Sequence, residues 1–271
     1  MKVRVRAGGR ETEVDLERPV SLAIEIAFAQ DGLHYFGAPG ARSVALATPG
    51  FAGRVAAGAS CNCSTLTLTP HGNGTHTECA GHLTVEPLDA FRVVPAGLIL
   101  ARLVTVVPER APESPESGAP EVRSGDRLVT RAALEAAGPH DPATRALVVR
   151  TLPNGADKRE RGYADGAAPY LSPEAARWLV ERGIEHLVVD LPSIDRLDDG
   201  GRLSAHRLFF GLPPGSKDLG SAQRAHCTVT ELAYVPDGVA DGPCLLEIQV
   251  PALAGDAVPS RPLLYPLDGG T

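Results

Sequence analysis

The sequence predicts an α/β fold built on a β-rich mixed sheet, and three observations carry that expectation. RALVVRT, SPEAARWLVERG and HLVVDLPSID follow one another as a β-branched strand, a capped helix and an apolar strand, the alternation of a βαβ unit. CTVTELAYVP, CLLEIQVPAL and RPLLYPL then add strand-like segments near the end, so the sheet is mixed rather than wholly parallel. A chain of 271 residues can bury one substantial α/β core, and no solenoid repeat is visible, so a single domain over residues 1–271 is expected.

The elements follow in order. VRVRAG and ETEVDL flank Gly8 and Gly9 and predict an N-terminal β-hairpin over about residues 1–18, with Pro19 ending it and SLAIEIAF resuming an extended pattern. DGLHYFGAPGARS is a Gly-rich loop that gathers His34, Tyr35 and Phe36, either as a pocket wall or as a surface turn pinned by two rings. CSTLTLT alternates like a strand that Pro70 ends, directly before HGNGTHTECAGH, which is read as a strand end and loop. AGLILARLVTV suits a buried strand, whereas VPERAPESPESGAPEV, over about residues 107–121, is too rich in Pro, Glu and Ser to bury a core and reads as an exposed loop. TRAALEAAG carries helix formers and stops at glycine. SPEAARWLVERG has a Ser cap, Pro in its first turn and a glycine stop, with Trp178 read as a packing residue.

Composition excludes several function classes. A net charge of −7, a pI near 5.6 and no Lys/Arg run leave no basic field for a nucleic acid. No apolar run approaches the roughly 20 residues of a membrane span, and MKVRVRAGGRETEVDLERP lacks the continuous apolar core of a secretion signal, so a cytoplasmic protein is expected. The five cysteines read as reduced thiols, with Cys79 a small semi-buried residue rather than a nucleophile. No GxSxG elbow is present, which ranks a serine hydrolase low.

The stretch HGNGTHTECAGH, residues 71–82, holds three of the chain's eight histidines with Glu78 and Cys79. Imidazole and carboxylate together suit zinc, manganese or iron(II), and His76 and Glu78 project from one face if the segment is extended. Gly72, Asn73 and Gly74 permit the tight backbone that swings His71 toward the same point, and Gly81 does likewise for His82. The spacing differs from the one-turn HExxH pattern of zinc proteases.

GTHTECAGH resembles the GTHxDxPxH signature of the cyclase-like metal-dependent hydrolases, which include bacterial kynurenine formamidases and isatin hydrolases. VRT at 149–151, LSPEAARWLVERG, DLPSID at 190–195, His206 and Glu231 occur in that family's order, from about residue 60 onward. The resemblance implies a swivelling β/β/α cyclase-like fold, usually in a homo-oligomer (dimer or tetramer), and hydrolysis of a small-molecule amide or ester of arylformamide, cyclic amide or lactone type. It implies one or two zinc ions, with manganese also compatible. His71, His76 and Glu78 match the ligands of the first ion, His82 the second position and a proton shuttle, and His206 and Glu231 the distant ligands that close that position. Glu78 stands where the family has aspartate, Ala80 where it has proline, and Gly72 and Asn73 where it has one residue. GLPPGSKDLG lengthens the gap between His206 and Glu231, which keeps His226 as a competing ligand. Asp190, Ser193 and Asp195 are candidates to orient the imidazoles or form a strand end and turn, and Arg150 is a candidate for a substrate carboxylate or a structural ion pair. A non-catalytic metal- or small-ligand-binding member of the scaffold is the alternative.

Overall fold

Buried β-branched runs settle the centre of the molecule. Ala146–Thr151 and His186–Val189 are buried at every position, as strands covered on both faces must be. The computed structural model describes residues 1–7, 10–28, 32–111, 122–138, 141–162 and 168–267. Among them a nine-stranded sheet runs, from one edge, Ala257–Pro259, His76–Cys79, Thr228–Glu231, His186–Val189, Ala146–Thr151, Ile99–Val106, Gly242–Gln249, Arg261–Pro266 and Val20–Ser21. The four strands from Thr228–Glu231 to Ile99–Val106 are parallel, and antiparallel strands flank them on both sides. The mixed α/β class expected from sequence is therefore the class observed.

One face of the sheet is closed by Arg131–Ala136, Pro173–Glu181 and Ser204–Phe210, which bring Leu134, Trp178, Leu179, Phe209 and Phe210 against Leu147, Val149, Leu187, Val189 and Val229. Pro173–Glu181 starts where Ser172 Oγ accepts from Ala175 N, 3.1 Å, with Pro173 at its first position. On the other face Val148, Val188 and Leu103 pack with Leu22, Val235, Leu246 and Ile248. Lys2–Ala7 and Arg10–Asp15 pair antiparallel and lay Val14 on Leu245, Leu263 and Tyr265; Gly8 and Gly9 lie outside the described residues.

Three local expectations change. SLAIEIAF is not a long strand: only Val20–Ser21 and a bridge from Ala23 to Ala233 are extended pairs, because the backbone beyond turns to the histidine region, where Ile24 N donates to Thr75 Oγ1 at 2.7 Å. Within the stretch read as an exposed loop, Glu109–Arg110 is a strand beside Arg127–Val129, and residues 112–121 lie outside the described residues. Pro70 does not lead into a loop but opens a one-turn helix, Pro70–Asn73, whose missing N–H costs nothing there.

The buried Arg150 is a structural clamp. Its guanidinium donates to Thr105 Oγ1, Pro236 O, Val239 O and Asp241 Oδ1 at 2.8–3.0 Å, which leaves no edge for a substrate.

Candidate metal centre

Strand register builds the floor of the site. His76–Cys79 lies antiparallel to Thr228–Glu231 with His76 opposite Glu231 and Glu78 opposite Val229, so period-two alternation puts His76, Glu78 and Glu231 on one face. Thr77 and Cys79 take the other face, where Thr77 Oγ1 meets Thr230 Oγ1 at 2.7 Å and Cys79 Sγ donates to Leu88 O. Burial pushes the Cys79 thiol up to about 12, so it stays protonated and is no nucleophile at neutral pH.

The remaining histidines arrive from three other elements. His71 rides on the helix Pro70–Asn73, and His82 on the 3-10 turn Ala80–Leu83 that follows the His76 strand. Gly81 is required in that turn, because a Cβ would stand 2.6 Å from Leu88 O. His206 lies on the inner face of Ser204–Phe210, and Glu231 ends its parallel strand, where Oε1 accepts from Ile194 N at 2.7 Å. All six residues nominated from sequence thus converge. His226, by contrast, is exposed just before Thr228–Glu231, at the strand end away from Glu231.

Glu78 is the hub. Its Oε1 lies 2.6 Å from His206 Nε2, and its Oε2 lies 3.4 Å from His71 Nε2 and 4.0 Å from His82 Nε2. Glu231 faces His76 Nε2 at 3.5 Å and His206 Nε2 at 3.4 Å. Two ligand-type triads result, His71–Glu78–His82 and His76–Glu78–Glu231, each with its donor atoms within 4.8 Å of one another. The resemblance groups His71, His76 and Glu78 on one ion, and the His71 and His76 rings do lie 5.4 Å apart, but these two triads divide them. The antiparallel register sets His76 directly against Glu231 instead, while the extra residue before Gly74 is absorbed in the helix that carries His71 toward His82, ring centroids 4.5 Å apart.

Each of three imidazoles spends Nδ1 on an outside acceptor. His76 Nδ1 bonds Gly74 O at 3.0 Å, His206 Nδ1 bonds Asp195 at 2.6 Å, and His82 Nδ1 bonds Asp256 at 3.1 Å. A donor hydrogen at Nδ1 fixes the tautomer whose Nε2 lone pair points inward, the arrangement that supports a metal-bound histidine. Inside, the buried Nε2 atoms of His71, His76 and His206 and Oε1 of Glu78 meet only one another and the carboxylates of Glu78, Glu231 and Asp256. A buried cluster of imidazole nitrogens and carboxylate oxygens with no other partner fits a cation.

Of the residues nominated to orient the imidazoles, Asp195 does so. Its carboxylate also accepts from Ala205 N and His206 N, so one group caps the helix and aims its histidine. Ser193 Oγ accepts from Asp195 N, whereas Asp190 turns away to Lys158 and Thr151. Asp256 was not foreseen. It precedes the edge strand Ala257–Pro259, stands 3.2 Å from His71 Nε2 as well as beside His82, and is 174 residues from His82, so no local pattern announces it.

Asn73, one of the residues that lengthens the spacing, is itself buried. Its Oδ1 accepts from Thr69 N and its Nδ2 donates to Leu33 O and Pro39 O, pinning the loop around Tyr35 over the turn that presents His71. Asn73→Ala strands these partners and is expected to cost about 2–3 kcal/mol in urea unfolding, with weaker metal binding in titration calorimetry.

Carboxylates set the charge state. Glu78 beside His82 raises that imidazole above its ordinary 6.5 despite burial, with Asp256 adding to the effect. Burial alone would lower His76 and His206, but Glu231 outweighs it at His76, and Glu78, with Asp195 and Glu231, does so at His206; both are raised. The pKa values of Glu78 and Glu231 fall in return. A cation must displace protons from these raised imidazoles. Metal affinity is therefore expected to decline as pH falls, starting above pH 6.5, with proton release measurable by calorimetry in buffers of different ionisation heat.

His76, Glu78, His206 and Glu231 are buried, whereas the side chains of His71, His82 and Asp256 are 26%, 25% and 39% exposed, so the centre opens to solvent on that side alone among these groups.

The Cyclase family model matches residues 14–196. No curated protein sequence matches the chain. Among solved structures, one described as a predicted metal-dependent hydrolase from Bacillus stearothermophilus superposes with a TM-score of 0.58 at 15% identity, covering 92% of this chain and 98% of that one. Isatin hydrolase A from Labrenzia aggregata gives 0.59 at 18% identity, covering 92% and 93%. Isatin hydrolase A from Ralstonia solanacearum gives 0.57 at 16%, covering 92% and 91%. The fold is shared along nearly the whole of each, and with its family model matched over most of its length the chain belongs to the Cyclase family.

Proposed function

We propose that the protein is a metal-dependent hydrolase that cleaves a small amide or ester, of the arylformamide, cyclic amide or lactone class. One observation carries this reading: His76, His82 and His206 each anchor Nδ1 outward and turn Nε2 onto the shared carboxylates of Glu78 and Glu231. Nitrogen and oxygen donors without thiolate suit zinc, the ion we favour, and equally accept manganese. His71, Glu78 and His82 would hold one ion and His76, Glu78 and Glu231 a second, with His206 at their junction.

A bound divalent ion supplies a Lewis acid for the carbonyl and a water whose pKa drops from about 15.7 to about 7. His82 then moves the proton. With an ion held by His76, Glu78 and Glu231, His82 Nε2 is left uncoordinated; Asp256 holds its Nδ1–H, so that Nε2 would accept the proton released as water attacks and return it to the leaving nitrogen or oxygen. The partly exposed edge at His71, His82 and Asp256 is where a small substrate enters. The isatin hydrolase neighbours act, by name, on a cyclic amide, which supports that branch of the substrate class.

No helix among the described residues is long and apolar enough to cross a membrane, and we place the enzyme in the cytoplasm with a small-molecule substrate. Assembly into a homo-oligomer belongs to the same reading. The two-stranded hairpin of Arg42–Ala45 and Ser64–Thr67 exposes Val44 and Leu66, and an isolated pair of strands is marginal without something packed on it.

Elemental analysis of untagged protein should find one or two divalent ions per chain. A panel of N-formyl arylamines, lactones and cyclic imides assayed with zinc or manganese should then show metal-dependent turnover. Bound metal with no turnover across the panel would leave the non-catalytic binding reading; no bound metal would end the hydrolase and the metal-binding readings alike.

A further inference from the structure

The segment GLPPGSKDLG, which lengthens the gap between His206 and Glu231, is not absorbed by the metal centre. It folds back across the outer face of Ser204–Phe210, where Arg207 donates to Pro213 O at 3.3 Å and Ser216 O at 2.7 Å. A cavity of about 510 Å³ lies between this segment, that helix and the start of Pro173–Glu181. Its volume falls within the range of small-molecule sites.

The cavity's chemistry is lopsided. Leu208, Leu212 and Pro214 supply apolar wall, while Arg177, Arg202 and Arg207 contribute three guanidiniums. Among the described residues Arg207 bonds to the carbonyls of Arg202, Pro213 and Ser216 and to no carboxylate. Arg177 has a single 3.4 Å contact with Glu174 at the exposed rim. No ion pair engages Arg202 among the described residues. Asp199, three residues before Arg202, spends its carboxylate on Gly201 N and Leu203 N. Arg177 and Arg202 are exposed and Arg207 is half-buried, so water reaches all three, but three guanidinium side chains around one cavity with a single weak carboxylate contact among the described residues set up a local positive field that suits a small anion.

We propose that this cavity is a second ligand site, separate from the metal centre, for a small amphiphilic carboxylate. The planar fork of Arg202 takes the carboxylate in two hydrogen bonds, Arg177 and Arg207 add to the field, and the apolar wall takes an aromatic or aliphatic body. Ser204, Arg207 and Leu208 face this cavity while Ala205, His206 and Phe209 turn to the core, so the ligand sits on the other side of the helix that carries His206.

Benzoate, benzamide and inorganic phosphate serve as probes in titration calorimetry with the full chain. Benzoate should bind at one site, with benzamide and phosphate much weaker. Arg202→Glu should weaken benzoate by about tenfold or more, the loss expected for a hydrogen bond to a charged group, while Arg202→Lys keeps part of it. Binding should persist in His76→Ala, whose metal centre is dismantled, which makes the result independent of the proposed hydrolase. Benzoate affinity unchanged by Arg202→Glu, or abolished by His76→Ala, would overturn the proposal, as would phosphate binding more tightly than benzoate or benzoate failing to bind.

Discussion

A Glu78→Gln chain is expected to fold, lose its bound metal and lose turnover together. Glu78 is the one side chain common to both ligand triads, and its two oxygens face opposite groups of imidazoles. Gln keeps the shape of this buried residue but removes the charge, leaving His206 Nε2 without its 2.6 Å carboxylate and His71 and His82 with Asp256 alone. Loss of a group that merely supports a metal ligand costs about 10–100-fold in affinity, so loss of a shared ligand should exceed about a hundredfold. The raised imidazoles should also relax downward, since Glu78 is the leading cause of the elevation at His82. Glu78→Asp separates charge from reach: it restores the residue typical of the family and should keep metal, at altered affinity, because the oxygen retreats by one methylene. Elemental analysis, calorimetry and a thermal melt of each variant distinguish these results. A Gln variant that holds stoichiometric metal would remove Glu78 from the centre.

How much of this was legible in the sequence depends on distance along the chain. His71, His76, Glu78 and His82 stand within twelve positions, and the two-residue period of a strand suffices to put His76 and Glu78 on one face. The parallel core was legible because buried strands are written as unbroken Val and Leu runs, and the Pro173–Glu181 helix because its Ser and Pro are local signals. His206 and Glu231 were reachable only through resemblance. Their approach depends on strand order, with Thr228–Glu231 placed beside His76–Cys79 across about 150 residues, and no local pattern encodes that pairing. Asp256 had neither signal. The extended pattern of the N-terminal SLAIEIAF holds only as far as Ala23, with Leu22 N donating to Pro262 O and Tyr234 N to Leu22 O; beyond it Ile24 is buried without strand pairing, although the apolar alternation continues.

Lys158→Met is expected to destabilise the protein by about 3–5 kcal/mol, the cost of leaving one member of a buried ion pair alone. Lys158 Nζ donates to Asp190 Oδ2 at 2.7 Å and to Thr151 O and Oγ1 at 2.6 and 2.9 Å, while Asp190 accepts from Thr151 N and Oγ1. Both charged side chains are under 5% exposed, so water cannot take the place of the ammonium. The pair ties the ends of two parallel strands, Ala146–Thr151 and His186–Val189, at the point where the chain leaves for Ile194 and Asp195. Removing both charges should recover part of the loss, because a Lys158→Met, Asp190→Asn double variant no longer buries an unpaired carboxylate. Asp195→Ala offers the opposite signature. It removes the acceptor from His206 Nδ1, and should lower metal affinity by about 10–100-fold with a smaller effect on unfolding. Urea midpoints and metal titrations measured on both variants place each carboxylate: Asp190 belongs to the clamp that holds the strand ends, Asp195 to the aim of the imidazole, although both come from the same DLPSID turn. Equal losses of stability in the two would mean that the turn acts as one structural unit and that aiming His206 is incidental to it.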